Sequence, residues 1–259
     1  MTVLSVNLNK IALVRNSRNG HRPSVVEAAR TAIAAGAAGI TVHPRPDQRH
    51  IRPHDVSDLA AMLASEHPQI EFNIEGNPSA GANDGGYPGF DSFIETTHPA
   101  QATLVPDSDD QLTSDHGWDL LTFNRQLATQ IKRYQGWGAR VSLFMDPDAD
   151  QIEQAKAHGA DRIELYTGPY AMLFRAHGVD HAATRESFVT YQNAAQYASQ
   201  LGMAVNAGHD LDLQNLGAFC QIKEIAEVSI GHALISDALE RGLHASVSAY
   251  AEILNVDHA

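Results

Sequence analysis

The stretch AIAAGAAGITVHPRPDQRHI, residues 32–51, decides the fold. Its alanines favour a helix, and the glycine just beyond them supplies the left-handed cap that ends one. A few residues later Ile40, Thr41 and Val42 form a short run that reads as a strand buried on both faces, as in a parallel sheet. The run stops in a knot of ionisable side chains: His43, Arg45, Asp47, Arg49 and His50. Such a knot is either a charged, solvated turn or the point where a core strand delivers its chemistry to a pocket.

The same unit recurs as YQGWGARVSLF (134–144), QAKAHGADRIELY (154–166) and ASQLGMAVNAGH (198–209). Helices alternating with buried strands imply βα units joined by right-handed crossovers. Strands are expected at residues 3–8, 40–42, 70–74, 102–105, 140–144, 162–165, 203–206 and 228–230. Helices are expected between them, among others at 24–35, 55–65, 119–134, 185–200 and 213–222. Eight such units in 259 residues match an α/β fold of the (β/α)₈ TIM-barrel type with additional helices, a single domain over 1–259. An open doubly wound sheet is the competing architecture. The lack of GxGxxG after the first strand removes only its commonest cofactor-binding form. Residues 76–90, GNPSAGANDGGYPGF, break the rhythm and read as a Gly/Pro-rich loop inserted after the third strand. It is expected beside the barrel mouth, where a lid and an inert insertion both fit.

Bulk properties narrow the function classes. Apolar residues make up 43% of the chain and charged residues 19%, as in an ordinary soluble globular protein. No apolar run approaches a membrane span and no signal-peptide pattern opens the chain, so the cytosol is the expected location. The single cysteine, Cys220, excludes an internal disulfide framework and any CxxC zinc site. A net charge of −13 argues against nucleic acid as a partner. Yet residues 1–52 carry eight basic and two acidic side chains, a net of +6, which leaves −19 for the remainder. A positive enclave in an acidic protein suits an anionic small molecule, although a basic surface or a subunit contact also fits.

In a barrel of this kind, catalytic groups come from the C-terminal strand ends. Those ends offer Asn7 and Asn9, His43 and Arg45, Glu71 and Glu75, Thr103 and Thr113, Asp146, Glu164 and Thr167, Asn206 and His209, and Gly231 with His232. In EFNIE the period of two puts Glu71, Asn73 and Glu75 on one face. A buried carboxylate there serves either catalysis or a structural ion pair with an arginine. NAGHD lets a ligand approach the backbone near His209, while Asp210 and Asp212 can cap the helix that follows. In SIGHALI, Gly231 and His232 sit between a strand and a helix N-terminus, a turn suited to phosphate. Imidazoles and carboxylates together suit repeated proton transfers near neutral pH. No lysine stands at a late strand end, which counts against a Schiff-base aldolase, and the absence of HxH in the first strand lowers metal hydrolysis.

Taken together, VNLNKIALVRNSR (6–18), GITVHPRPDQRHI (39–51), EFNIEG (71–76), LVPD (104–107), RIELYTGPYA (162–171), VNAGHDL (205–211) and VSIGHALISDAL (228–239) resemble the pyridoxine 5′-phosphate synthase family of vitamin B6 biosynthesis. The resemblance implies a (β/α)₈ barrel assembled as a homo-octamer. It also implies a transferase-class condensation of 3-amino-2-oxopropyl phosphate with 1-deoxy-D-xylulose 5-phosphate, with neither metal nor organic cofactor. By it, His43 and Glu71 are proton acceptors, His209 is the proton donor and Glu164 stabilises developing charge, with Glu75 as the alternative carboxylate. The aminoketone phosphate is expected at Asn7, Arg18, Asp210, Gly231 and His232. The sugar phosphate is expected at Asn9, Lys10, Arg45, His50 and Thr113. Two features depart from many members: Asn9-Lys10 stands where Asp-His is usual, and the 76–90 loop is longer than in compact ones. Beside the synthase stand two other readings, a metal-dependent hydrolase on the same fold and a non-catalytic phosphate-ligand binder.

Overall fold

The computed structural model describes residues 2–18, 20–108, 111–122 and 124–255. Eight parallel strands close into a barrel in sequence order. They are β1 (Val3–Asn7), β2 (Gly39–Val42), β3 (Glu71–Gly76), β4 (Gln101–Leu104), β5 (Arg140–Met145), β6 (Arg162–Tyr166), β7 (Ala204–Gly208) and β8 (Ile225–Ile230). Each expected strand has its counterpart, and β1 pairing with β8 excludes the open sheet.

Between and after the strands run α1 (Asn9–Asn16), α2 (Val25–Ala34), α3 (Pro53–Glu66), α4 (Phe90–Thr97), α5 (Arg125–Gly136) and α6 (Ala149–Ala157). They are followed by α7 (Gly168–His177), α8 (Ala182–Gln200), α9 (Leu216–Phe219), α10 (His232–Arg241) and α11 (Leu243–Asn255). Helix α2 shows the opening motif at work. The Ser24 side chain accepts the Glu27 N–H at its start, and Gly36, at φ +108°, turns the chain toward β2 at its end.

Two helices differ from expectation. Helix α5 begins at Arg125 rather than near 119, because Asn124 caps it by accepting the Leu127 N–H. The preceding residues are tied elsewhere: Trp118 N–H donates to the Phe144 carbonyl and Leu120 N–H to Gln151 Oε1. Helix α9 shrinks to four residues. The Asp212 carboxylate draws in the N–H groups of Gln214 and Asn215, so residues 212–215 form a turn.

Alternation along the strands separates two faces. The apolar set, such as Leu4 and Val6, Ile40 and Val42, Phe72 and Ile74, belongs to one continuous buried core. The inward set is polar: Ser5 bonds Thr41 at 2.7 Å, Asn73 donates to Thr41 at 3.3 Å, and Thr103 donates to Asn73 at 3.0 Å. Paired hydroxyls and amides are what make such an interior tolerable. The loop between β3 and α4 has neither helix nor strand, and it packs against the loop after β2.

Candidate active site

At the C-terminal ends of the strands lies a cavity of about 420 Å³. It collects Asn7, Asn9, Lys10, His43, Arg45, His50, Thr113, Glu164, His209, Asp210, Gly231 and His232, all anticipated from sequence. Two anticipated residues lie elsewhere.

Glu71 is the first residue of β3, so it sits at the opposite end of the barrel, where its Oε2 pairs with Arg140 Nη2 at 2.5 Å. Four residues at ~3.3 Å rise separate it from Glu75 by about 13 Å on the same inward face. Glu75, not Glu71, is therefore the β3 carboxylate of the cavity. Arg18 lies past the end of α1 in an exposed turn and does not line the cavity. The eight-residue helix carries the chain away from the mouth, and Lys10 in its first turn faces the cavity instead.

One side of the cavity is acidic and holds the imidazoles. Glu75 Oε2 lies 3.8 Å from His43 Nδ1 and accepts from Asn7 Nδ2 at 3.3 Å. Asn9 Oδ1 accepts the backbone N–H of His43 at 2.9 Å, which fixes the end of β2 against α1. Burial, reinforced by Asp107 and opposed by Arg45, raises the Glu75 carboxyl to about 7. Burial also raises Glu164 well above the usual carboxylate range, with Glu75 and Glu227 adding to it. His43 is pushed well below its ordinary value by burial and then by Arg45, so its ring is neutral.

His209 stands on strained backbone. Its φ is +79° and that of Asp210 is +59°, both in the left-handed region that favours glycine. The Thr167 hydroxyl holds this turn, bonding the carbonyls of both Gly208 and His209. The His209 ring meets Phe144 edge-on at 5.4 Å and Tyr166 at 5.6 Å. Burial lowers its pKa, against an opposing pull from Asp210. Its Nε2 and the Glu164 Oε2 are buried and make no hydrogen bond to another protein group. Glycine at 208 leaves room for this carboxyl: a Cβ there would collide with Glu164 Oε1 and lie 3.2 Å from the Ser229 carbonyl.

The other side is cationic, with Lys10, Arg45 and Arg49 converging around His50. Burial lowers Lys10, and Arg49 and Arg45 lower it further. His50 falls to about 3, through burial and the same three cations. Its Nδ1 accepts the Ile51 N–H at 2.9 Å, so the neutral ring carries its own hydrogen on Nε2. Arg45 is ion-paired with Asp107, whose Oδ2 also accepts from the Ser114 hydroxyl at 2.6 Å. Opposite these cations, Gly231 and His232 open the ten-residue helix α10 with its N-terminus toward the cavity.

Sequence reasoning passed over Asp107, Arg49, Tyr166 and Ser114. Asp107 and Arg49 stood in quoted motifs without a role, and Tyr166 follows Arg162 and Glu164 on the inward period of β6. Ser114 carried no signal beyond its place beside Thr113. Among the described residues, no group of three or more His, Cys, Asp or Glu is placed to hold a metal ion. Among the same residues, no helix is long and apolar enough to cross a membrane.

Known proteins extend this picture. The chain is 56% identical over 258 residues to a pyridoxine 5′-phosphate synthase of Xanthomonas axonopodis pv. citri (strain 306), covering 99% of this chain and 98% of the relative. It is 52% identical over 248 residues to the enzyme of that name from Brucella abortus (strain S19), covering 95% and 96%. Among solved structures, a tryptophan synthase from M. tuberculosis superposes with a TM-score of 0.62 at 11% identity, over 98% of this chain and 92% of that one. A 3-hexulose-6-phosphate synthase does so at 0.56 and 15%, over 98% of each chain. At such identities these structures speak for the barrel fold alone. The family model described as "Pyridoxal phosphate biosynthesis protein PdxJ" matches residues 4–256, and the chain belongs to that family.

Proposed function

We propose that this chain is a pyridoxine 5′-phosphate synthase of the transferase class. It condenses 3-amino-2-oxopropyl phosphate with 1-deoxy-D-xylulose 5-phosphate to give pyridoxine 5′-phosphate, phosphate and water. One observation carries the reading: a single cavity joins two neutral imidazoles and a carboxyl of pKa about 7 to a cluster of cations. The substrates bring their own amine and carbonyl, so the protein's task is to place two phosphates and move protons between them.

The sugar phosphate meets Lys10, Arg45, His50 and Thr113, with Asn9 beside them. The aminoketone phosphate meets Asn7, Asp210 and the Gly231-His232 turn, where the α10 N-terminus favours an anion. Glu75 takes the acceptor role that the resemblance implied for Glu71. It is half ionised near neutrality, so it both accepts and returns protons. His43, neutral and 3.8 Å from it, is its partner acceptor. His209 is the donor, and bound phosphates raise its depressed pKa by adding negative charge nearby. Glu164, which burial keeps protonated in the free site, stabilises the charge that develops in the transition state. The family resemblance makes the working form an octamer in the cytosol, and light scattering on the purified protein measures the subunit number.

The test is to mix the two phosphates with purified protein and follow product absorbance and phosphate release. Turnover that requires both substrates supports the reading. No turnover with authentic substrates overturns it.

A further inference from the structure

The loop between β3 and α4 is joined to both flanks of Arg45. At its root, Asn77 Nδ2 donates to the carbonyl of Asp107 at 2.9 Å, and the Asp107 carboxylate is the ion-pair partner of Arg45. At its tip, Asn83 Nδ2 donates to the carbonyl of Pro46, the residue after Arg45, at 3.0 Å. The Asn83 Oδ1 meanwhile accepts the N–H groups of Gly85 and Tyr87 at 3.0 and 3.2 Å, so one side chain both folds the tip and docks it. Gln48 answers from the other loop by donating to the Gly85 carbonyl at 2.6 Å.

The segment gripped in this way is under strain. Gln48 closes a turn by donating its N–H to the Arg45 carbonyl at 2.9 Å, and it does so at φ +53°. A non-glycine residue is strained there, and the bond from Gln48 to the Gly85 carbonyl helps to hold it. The bonds at Pro46 and Gly85 hold this turn in the geometry that presents Arg45 to the cavity.

We propose that residues 77–87 brace Arg45 from both flanks, with Asn77 and Asn83 as positioning residues for the anion-binding side of the cavity. The Gly/Pro-rich segment is then part of the binding machinery without touching a substrate. The inference rests on the synthase reading, in which Arg45 meets the sugar phosphate.

The experiment compares Asn83→Ala with the wild type by steady-state kinetics in both substrates and by calorimetric titration with 1-deoxy-D-xylulose 5-phosphate. The expected result is a KM and Kd for the sugar phosphate raised about fivefold or more, the loss of a geometry-setting hydrogen bond. The KM for the aminoketone phosphate and kcat stay within about twofold. In an Arg45→Lys background, Asn83→Ala adds no further loss, because both changes act on one contact. Equal increases in both KM values, or full additivity with Arg45→Lys, overturn the brace. Gln48→Ala removes only the bond at the tip and is expected to act in the same direction, which keeps the test decisive should Asn83→Ala fold poorly. A wild-type protein that turns over neither phosphate defeats the functional reading. Turnover with an unselective Asn83→Ala defeats the brace alone.

Discussion

Glu75 and His43 face each other from adjacent strands of the barrel, Oε2 to Nδ1 at 3.8 Å, while Glu71 on the same strand face pairs with Arg140 at the far end. Two carboxylates four residues apart thus take different work, and a pair of substitutions separates them. Glu75→Gln is expected to lower kcat by ~10²-fold or more with folding intact. Glu71→Gln keeps activity within a few fold and changes the melting temperature instead. Measuring turnover and thermal unfolding on both variants decides it: the reverse pattern refutes the assignment.

The pH profile follows from the same pair. The Glu75 carboxyl titrates at about 7, and as a proton acceptor it works only when ionised. His43 is already neutral, whereas His209 must carry a proton to donate it and burial lowers its pKa, so kcat/KM of the free enzyme is bell-shaped, with the limb near 7 set by Glu75. Asp107→Asn removes one cause of the raised value and releases Arg45, which pulls Glu75 down. The limb near 7 therefore shifts to lower pH. A limb that stays in place, measured with both phosphates across pH 5 to 9, sinks the role of Asp107 as the tuning charge.

Why Glu71 and Glu75 were separable only in three dimensions is a matter of strand phase. The period of two places both on the inward face, and the sequence pattern does that well. Nothing in EFNIE says where the strand starts, and a shift of a few residues exchanges the mouth of the barrel for its floor. The strands themselves were legible because glycine-ended alanine runs and β-branched runs report local backbone preference. Most of the cavity followed, since the end of a strand is where a barrel keeps its chemistry. Arg18 fell outside the cavity for the complementary reason: its position depends on how far α1 continues, and no glycine directly follows Asn16 to mark where the helix stops. The Arg45–Asp107 pair joins residues 62 apart, and no local signal records such a contact.

A buried ion pair supports the cationic loop from beneath. Arg15 Nη2 donates to Asp55 Oδ2 at 2.9 Å and to the His50 carbonyl at 3.3 Å, and Asp55 also accepts the Arg52 N–H at the start of α3. Both side chains are nearly inaccessible, at 7% and 5%. Asp55→Ala leaves a guanidinium buried and unpaired, so the expected loss is ~3–5 kcal/mol in urea unfolding. The double replacement Arg15→Met with Asp55→Leu recovers most of that stability but not the hold on His50. A loss below about 1 kcal/mol for Asp55→Ala contradicts the buried-pair account.

At the barrel floor, Glu227 titrates at about 8, because it is buried and faces Glu71, with Arg162 and Arg140 opposing the shift. Arg162 Nη1 lies 3.6 Å away, too far to neutralise it fully. The sign is set by which state holds the proton. Below about pH 4.5 both folded and unfolded chains carry it, and the term is neutral. Between about 4.5 and 8 the unfolded chain releases it while the folded chain keeps it, so stability falls as pH rises through that window. Glu227→Gln imitates the protonated carboxyl and keeps a donor for Glu71, which removes this slope. The variant is therefore expected to match the parent near pH 4 and to melt higher than it near pH 9. Thermal unfolding of both proteins across that range checks it, and parallel curves would mean that Glu227 is ionised in the folded barrel.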